Sequence, residues 1–295
     1  MIKNINIENR IGKHNFIHYF EPKGKFVCRR FPVFSWANGC PFSCRYCYLN
    51  LTLRIQRRSA KIIVWTNYQE MARQVKKWAA VSSKEEYLNA GELSDALAIA
   101  DDNCSYSQKM LEAVIPCLMP NRGLYLLTKS AGATLLNFEP NPDVIAAFSV
   151  NSETAAKLYE INVPSPTERL AGAKRLRDLG WRIRIRLDPM IPHEGWQRDY
   201  ERIIDKINLL EPERVTIGSL RFHPLLPKFC PESDIWKYGS ERDAGGKLRI
   251  STEKTLELYR FALGRLCCKY IVPCKESVQI WKALKLKGLK CACQA

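Results

Sequence analysis

The amino-acid sequence predicts an α/β fold, a partial (β/α) barrel with parallel strands. Short runs of β-branched and apolar residues alternate repeatedly with amphipathic stretches along the chain. This alternation predicts parallel strands joined by right-handed helical crossovers. A length of 295 residues and a hydrophobic content of 46% are sufficient for one domain of this kind. The number of units suits a partial or a complete barrel, and we expect a partial one.

The individual elements follow from local periodicity. Met71, Val75 and Trp78 recur at helical spacing. Ile183 and Ile185 lie on one face of an alternating run, as in a strand. Strands are therefore expected at 33–36, 61–65, 86–89, 123–127, 144–150, 182–187, 215–220 and 270–272. Helices are expected at 68–80, 107–118, 167–179 (closed by Gly180), 200–210 and 252–266.

Three segments are expected along the chain: an N-terminal extension at 1–30, the partial barrel at 31–282, and a cysteine-containing C-terminal tail at 283–295. Residues 224–246 are rich in Pro, Gly and charge, which predicts a long loop or lid within the barrel segment.

The charge balance favours a polyanionic partner. Lys and Arg number 46 against 30 for Asp and Glu, giving a formal net charge of +16. Such a surplus suits nucleic acid, nucleotides or an anionic membrane surface. The basic residues are spread along the chain, so a solvated basic surface without a partner is the alternative. No stretch approaches the roughly 18 apolar residues of a membrane span, and no membrane insertion is expected.

Twelve cysteines is a high count for this length. Residues 1–14 are polar and lack the apolar region of a signal peptide, so we expect a cytoplasmic protein. Thiols stay reduced in that compartment. The cysteines are therefore interpreted as metal ligands, catalytic groups or buried thiols rather than as disulfides.

Cys40, Cys44 and Cys47 form a CxxxCxxC spacing in one short loop. Three thiolates hold three irons of a [4Fe–4S] cube and leave the fourth iron open to a small chelating molecule. S-adenosylmethionine chelates through its amino and carboxylate groups, and one electron then cleaves its sulfonium bond to a deoxyadenosyl radical. A structural zinc loop or buried thiols are the alternatives, but no second CxxC or His pair follows at zinc-ligand spacing.

Residues 38–49, Asn-Gly-Cys-Pro-Phe-Ser-Cys-Arg-Tyr-Cys-Tyr-Leu, resemble the cluster loop of the radical S-adenosylmethionine superfamily and, within it, of the spore photoproduct lyase-like group. The similarity continues at 91–95, 127–129, 148–151, 168–169, 186–196 and 272–276, and reaches Trp281. It covers most of the chain from Phe31. The loop is common to the superfamily, whereas Asp-Pro-Met-Ile-Pro-His-Glu-Gly-Trp at 188–196 points to this group.

The candidate cofactor-binding residues are Gly91, Glu92, Lys129, Ser149, Asn151 and Arg186. The resemblance implies the role of the first three, whereas Ser149 and Asn151 end the strand at 144–150 and are expected to hydrogen-bond the ribose or the carboxylate. In this scheme the Gly91-Glu92 turn receives the methionyl ammonium, as a charge-assisted pair, and Lys129 meets the methionyl carboxylate. The alternatives are an ordinary strand-end turn and a surface lysine. Arg184 and Arg186 alternate with apolar residues, and one of them is expected to point into a polar barrel lumen. A salt bridge to a helix is the alternative.

Tyr46 and Tyr48 match, by position, tyrosines that take part in returning a hydrogen atom in spore photoproduct lyase. A packing role is the alternative for both. The chain departs from the family at Glu92, which stands where the lyase has a hydrogen-donating cysteine, and Cys104 is not a positional match. The resemblance thus implies the family and its cluster chemistry, and leaves thymine-dimer reversal by the known route open.

A second metal site is a further hypothesis. Cys274, Cys291 and Cys293 are candidate ligands for an auxiliary cluster or a zinc ion. Buried or loose thiols are the alternative. The adjacent pair Cys267-Cys268 fits that alternative, because neighbouring residues on a helix point in different directions.

The predicted function is reductive cleavage of S-adenosylmethionine at a [4Fe–4S] cluster, followed by hydrogen abstraction from a substrate at the strand ends. Charge and family favour DNA or a nucleotide as substrate, with an electron donor such as flavodoxin or ferredoxin. One alternative is a non-enzymatic Fe–S or zinc nucleic-acid-binding protein. Another is a maturase or carrier whose basic surface docks a partner protein.

Overall fold

The computed structural model describes residues 14–22, 26–55, 62–243 and 245–286. Its strands are β1 (Ile17–Phe20), β2 (Phe31–Phe34), β3 (Ala37–Asn38), β4 (Ser43–Cys44), β5 (Ile63–Val64), β6 (Glu86–Asn89), β7 (Arg122–Thr128), β8 (Val144–Val150), β9 (Glu160–Ile161), β10 (Arg182–Met190), β11 (Arg214–Ser219), β12 (Arg221–Phe222), β13 (Glu241–Arg242), β14 (Leu248–Arg249) and β15 (Ile271–Pro273). Its α-helices are α1 (Leu49–Ile55), α2 (Tyr68–Val81), α3 (Tyr106–Val114), α4 (Glu153–Tyr159), α5 (Pro166–Asp178), α6 (Trp196–Leu210), α7 (Thr252–Leu263) and α8 (Val278–Ala283).

An eight-stranded sheet forms the centre of the described part of the chain, in the order β1-β2-β6-β7-β8-β10-β11-β15. Every pair from β2 to β15 is parallel, and β1 pairs antiparallel with β2 at one edge. The strand order follows the chain order, as helical crossovers between neighbouring strands require. The predicted α/β fold with parallel strands is confirmed.

Burial on both faces explains the composition of the central strands. All seven residues of β8 are buried, as expected for a parallel strand covered by helices on one side and by barrel contents on the other. The covering helices are amphipathic. In α6, for example, Tyr200, Ile203 and Ile207 are buried while the other face is solvated.

Several predicted elements have the expected bounds, and others differ for identifiable reasons. The strands at 86–89 and 144–150 are found where they are predicted. The helix predicted at 107–118 ends as an α-helix at Val114, because Pro116 lacks an N–H and lies in a 3-10 turn. The strand predicted at 61–65 is β5, which pairs antiparallel with β3 outside the main sheet. Residue 61 lies outside the described residues.

Two regions carry more structure than the sequence indicates. Within the predicted extension at 1–30, β1 joins the main sheet through pairs such as Ile17 with Phe34. The predicted loop at 224–246 contains two 3-10 turns and β13, which belongs to a three-stranded sheet in the order β12-β14-β13. The domain bounds themselves stay a prediction. Among the described residues, no helix has the length and apolar character needed to cross a membrane.

Candidate active site

A cavity of about 240 Å³ opens at the carboxyl ends of the parallel strands. Most of the residues predicted for the site line it: Cys40, Cys44, Tyr46, Cys47, Tyr48, Gly91, Glu92, Lys129, Ser149 and Arg186. They come from the cysteine loop, from the turns after β6 and β7, from the end of β8 and from β10. Catalytic groups in (β/α) barrels lie at this end of the strands.

Backbone hydrogen bonds join the cysteine loop to the barrel on two sides. Cys44 in β4 pairs with Glu160 in β9, and the N–H of Arg45 donates to the carbonyl of Tyr159 at 2.8 Å. On the other side, the N–H of Gly39 donates to the carbonyl of Leu93 at 3.0 Å, next to the Gly91-Glu92 turn. The loop is therefore fixed between the turn after β6 and the segment after α4.

Burial disfavours the charged form of the cysteine thiols. Desolvation raises the pKa of Cys40 well above its usual value, and raises the pKa of Cys44 to about 12. The negative groups nearby, Asp95 for Cys40 and Glu160 for Cys44, add to this effect. A cationic iron centre would compensate these negative charges and favour the thiolates.

Within the part of the chain that the structure describes, no three Cys, His, Asp or Glu side chains are grouped closely enough to hold one metal ion. In a cube each thiolate bonds a different iron, so the three sulfurs lie farther apart than around one zinc ion. The thiols of this loop line one cavity and influence one another electrostatically. Their arrangement is compatible with three ligands of a [4Fe–4S] cluster.

Gly91 and Glu92 form the turn after β6. A Cβ at Gly91 would lie 2.6 Å from the carbonyl oxygen of Leu127, so a side chain there would displace β7. The Glu92 carboxylate pairs with Lys275 at 3.3 Å, and its carbonyl accepts a hydrogen bond from Tyr48 at 2.5 Å. Burial alone would raise the pKa of Glu92, but Lys275 and neighbouring cations hold it below its usual value. Glu92 is thus an anion at the cavity wall.

Lys129 lies in the cavity, and its side chain is 16% exposed, which rules out the surface-lysine alternative. Its ammonium donates to Ser149 Oγ and to the Glu160 carboxylate, both at 3.0 Å. Its backbone N–H donates to Asp95 at 2.6 Å, and Asp95 also accepts from the Thr128 hydroxyl at 2.7 Å. These contacts fix the turn after β7 and direct the ammonium.

Glu160 is a buried residue that the sequence reasoning missed. Its carboxylate accepts hydrogen bonds from Tyr46, Lys129 and Arg169, and from Asn151 at 3.4 Å. Burial would raise the pKa of Glu160, but the charges of Lys129 and Arg169 lower it to about 2. A single sequence gives no reliable signal for such a residue, because glutamates are mostly exposed.

Asn151 is fully buried and does not line the cavity. Its side-chain oxygen accepts from the hydroxyl of Tyr200 at 2.6 Å, and its amide donates toward Glu160. Asn151 therefore lies behind the cavity wall, where it supports Glu160. Ser149, the other residue predicted at this strand end, lies in β8 and faces the cavity.

Arg186 points into the cavity and pairs with its own strand. Its guanidinium contacts Asp188 at 2.7 Å and the Cys274 sulfur at 3.0 Å. Arg221 contacts the same carboxylate at 3.1 Å. A Cβ at Gly218 would lie 2.3 Å from the Asp188 carboxylate, so glycine makes room for this cluster.

The auxiliary metal site stays a prediction. Cys274 is buried beside the guanidinium groups of Arg186 and Arg221. If Cys274 bound a metal ion, the ion would have these two cations as neighbours. Cys291 and Cys293 lie outside the described residues.

Three further cations, which the sequence did not single out, line the same cavity and form a cationic wall: Arg221, Lys247 and Lys275. Arg221 shares the Asp188 carboxylate with Arg186, and Lys275 pairs with Glu92. Lys247 lies 5.8 Å from the centroid of the Tyr48 ring. Burial lowers the pKa of Lys247, and the charges of Lys275 and Arg221 act in the same direction. This cationic wall comes from β12, the turn before β14, and the end of β15. Its residues are far apart in sequence, and only the fold brings them together.

Comparison with known proteins identifies the family. The sequence pattern described as spore photoproduct lyase matches residues 31–256. The chain is 25% identical over 251 residues to spore photoproduct lyase of Geobacillus sp. (strain Y412MC61), covering 84% of this chain and 70% of that protein. It is 25% identical over 183 residues to the Bacillus subtilis (strain 168) enzyme, covering 61% of this chain and 52% of that protein.

A solved structure supports the fold assignment. It is a cysteine-to-alanine, serine-to-cysteine double mutant of spore photoproduct lyase with bound S-adenosylmethionine and dinucleoside spore photoproduct. It superposes with a TM-score of 0.67 at 22% identity, covering 80% of this chain and 74% of that chain. The predicted partial barrel is therefore confirmed. Because the family pattern matches more than half of the chain, the protein belongs to the spore photoproduct lyase family of radical S-adenosylmethionine enzymes.

Proposed function

We propose that Cys40, Cys44 and Cys47 hold a [4Fe–4S] cluster and that S-adenosylmethionine binds beside it. The main support is that these thiols share one cavity with Glu92 and Lys129, at the carboxyl ends of parallel strands. A solved member of the family binds the same cofactor. When bound, the cluster and S-adenosylmethionine supply the reductive cleavage that generates a deoxyadenosyl radical.

The side chains of the cavity have complementary tasks in this proposal. The anionic Glu92 receives the methionyl ammonium, and Lys129 donates to the methionyl carboxylate. Ser149 and Arg186 offer further donors at the same wall. Apolar residues such as Phe42 and Leu127 line the remaining surface and exclude water from the reacting groups.

The proposed substrate is DNA or a nucleotide. Arg221, Lys247 and Lys275 form a cationic wall that suits phosphate oxygens. The net charge of +16 favours the same class. The relatives are named for a spore photoproduct, and the crystallised member holds a dinucleoside spore photoproduct. This agreement favours an enzyme acting on nucleic acid over a protein that only binds it.

In this chain a thiol at residue 92 cannot return the hydrogen atom. That position is Glu92, and among the described residues the cysteines that line the cavity are the three proposed cluster ligands. Tyr46 and Tyr48 line the same cavity, and burial raises the pKa of both phenols well above the usual value. The phenols carry an O–H at neutral pH, and we assign to them the donation of a hydrogen atom to the substrate radical, which leaves the unpaired electron on the phenoxyl oxygen.

The test is deoxyadenosine release by anaerobically reconstituted, reduced protein, with and without damaged DNA. The wild type is expected to release deoxyadenosine and the Cys44→Ala variant to release none. Cys117→Ala is the matched control, because Cys117 lies outside the cavity and its thiol contacts the carbonyl of Ala113. Release that persists in Cys44→Ala would contradict the proposal. Stimulation by DNA would identify the substrate class.

A further inference from the structure

Glu160 is a buried anion that joins two parts of the site. Its carboxylate contacts Tyr46 in the cysteine loop and Lys129 after β7, while Arg169 from α5 contacts its other oxygen. The side chains of Glu160 and Arg169 are both 0% exposed. A buried carboxylate with this many charged partners is costly to desolvate, so the cluster is weak evidence for a role in stability alone.

The donors of Lys129 show what Glu160 controls. A lysine ammonium has three N–H donors. One bonds Glu160 and a second bonds Ser149 Oγ, both at 3.0 Å. Two acceptors in fixed positions define the direction of the third N–H. Among the described residues no further hydrogen bond occupies that donor, and the residue lines the cavity.

Tyr46 gives the carboxylate a second effect. The Tyr46 hydroxyl donates to the same carboxylate oxygen that Lys129 contacts, and the Lys129 ammonium lies 5.8 Å from the Tyr46 ring centroid. The backbone of Glu160 also pairs with Cys44. The cysteine loop and the Lys129 turn therefore share one anchor, and their separation depends on the position of Glu160.

We propose that Glu160 is a positioning residue, which directs the third N–H of Lys129 toward the carboxylate of bound S-adenosylmethionine and sets its distance from the cysteine loop. The inference rests on the proposed function of the cavity. Glu160 acts through Lys129 and touches no cofactor itself. Loss of Glu160 should therefore weaken cofactor binding only in a protein that has Lys129.

A double-mutant cycle tests this dependence. Wild type, Glu160→Gln, Lys129→Met and the double variant are reconstituted, matched for iron and sulfide content, and reduced. The dissociation constant for S-adenosylmethionine is measured from the change in the cluster's paramagnetic resonance spectrum on titration. Glu160→Gln is expected to raise the constant about tenfold, equivalent to about 1.4 kcal/mol. In the Lys129→Met background the same change is expected to alter it less than about twofold, because coupled residues are not additive.

Glu213→Gln is the matched control, since Glu213 also bridges two cations, Arg182 and Arg184, but lies at the amino ends of the strands. It is expected to leave the dissociation constant unchanged. If Glu160→Gln does not assemble a cluster, Glu160→Asp enters the same cycle, because it keeps the charge and shortens the reach to Tyr46 and Lys129.

An unchanged dissociation constant in Glu160→Gln, or an equal loss in both backgrounds, would overturn the inference and leave the proposed function intact. A wild-type spectrum that does not respond to S-adenosylmethionine would contradict the proposed function, and the inference with it.

Discussion

At the scale of single residues, buried carboxylates hold the cations of the cavity in place. Asp188 lies between Arg186 and Arg221, and its side chain is 9% exposed. Burial would raise the pKa of Asp188, but the two guanidinium groups hold it far below its usual value. Removing one partner of such a group leaves buried charge uncompensated, which destabilises a protein more than the intact cluster stabilises it.

This arrangement predicts how stability depends on pH. A carboxylate with a depressed pKa in the folded state stabilises the protein above its unfolded pKa, and the effect is lost as pH falls toward the folded value. Asp188→Asn should therefore lower the free energy of unfolding by about 3 kcal/mol at pH 7, and the difference from wild type should shrink below about pH 4. Urea denaturation of cluster-free protein at pH 7 and pH 3 measures it.

The exposed Asp102 provides the control for this experiment. Asp102→Asn should change the free energy of unfolding by less than about 0.5 kcal/mol at either pH. A constant difference between Asp188→Asn and wild type from pH 7 to pH 3 would show that the charge of Asp188 does not contribute.

At the scale of elements, α5 supports the site because it carries Arg169. The helix begins with a capping box in which Ser165 Oγ accepts from the N–H of Glu168, and the Glu168 carboxylate accepts from the N–H of Ser165. Two backbone donors at the helix start are satisfied in this way. Pro166 at the first helical position adds a preset backbone angle. The start of α5 is therefore defined locally.

The capping box gives a second stability prediction. Ser165→Ala should lower the free energy of unfolding by about 1 kcal/mol, because one helix N–H loses its acceptor. Ser233→Ala is the control, since Ser233 precedes a 3-10 turn without a side-chain capping bond. Chemical denaturation of both variants measures the difference, and equal effects would argue against a role for the cap.

The same elements show how far the sequence specifies this structure. Periodicity located the long helices and the central strands, because a continuous buried face leaves a repeating pattern. The sequence did not indicate α4 or β9, because both are too short for a repeating pattern. The seven residues of α4 make less than two helical turns, and β9 has only two residues. Glu160 lies in β9 and was missed with it. The capping motif Ser165-x-x-Glu168 is a sequence signal that could have placed the start of α5 correctly.

The predicted site residues show a similar division. The cysteine spacing and the strand-end polar groups selected most of the residues that line the cavity. Asn151 was placed at the cofactor, but it supports Glu160 from behind the wall. A polar residue at a strand end faces either the cavity or the protein interior, depending on its contacts. For Asn151 one contact is the hydrogen bond from Tyr200, which belongs to a helix distant in sequence.

At the scale of the whole molecule, the fold brings basic residues from distant parts of the sequence to one place. The basic residues are spread along the sequence, yet Arg221, Lys247 and Lys275 meet at one wall of the cavity. Arg221 is paired with Asp188, and Lys275 with Glu92. Lys247 is part of the same wall, where burial and like charges disfavour its charged form. A phosphate beside it would reverse that effect by supplying an opposite charge.

Salt dependence tests whether this wall binds phosphate. The logarithm of the affinity falls linearly with the logarithm of the salt concentration. Each phosphate contact adds nearly one to the magnitude of that slope. Lys247→Ala should therefore weaken binding of a short oligonucleotide and reduce the magnitude of that slope by about one. Lys76→Ala is the control, because Lys76 is exposed on the outer face of α2, away from the cavity. Fluorescence anisotropy at several salt concentrations measures both slopes. Removing a lysine that contacts phosphate reduces the number of counterions released on binding. Equal slopes for wild type and Lys247→Ala would therefore mean that nucleic acid binds through another part of the basic surface.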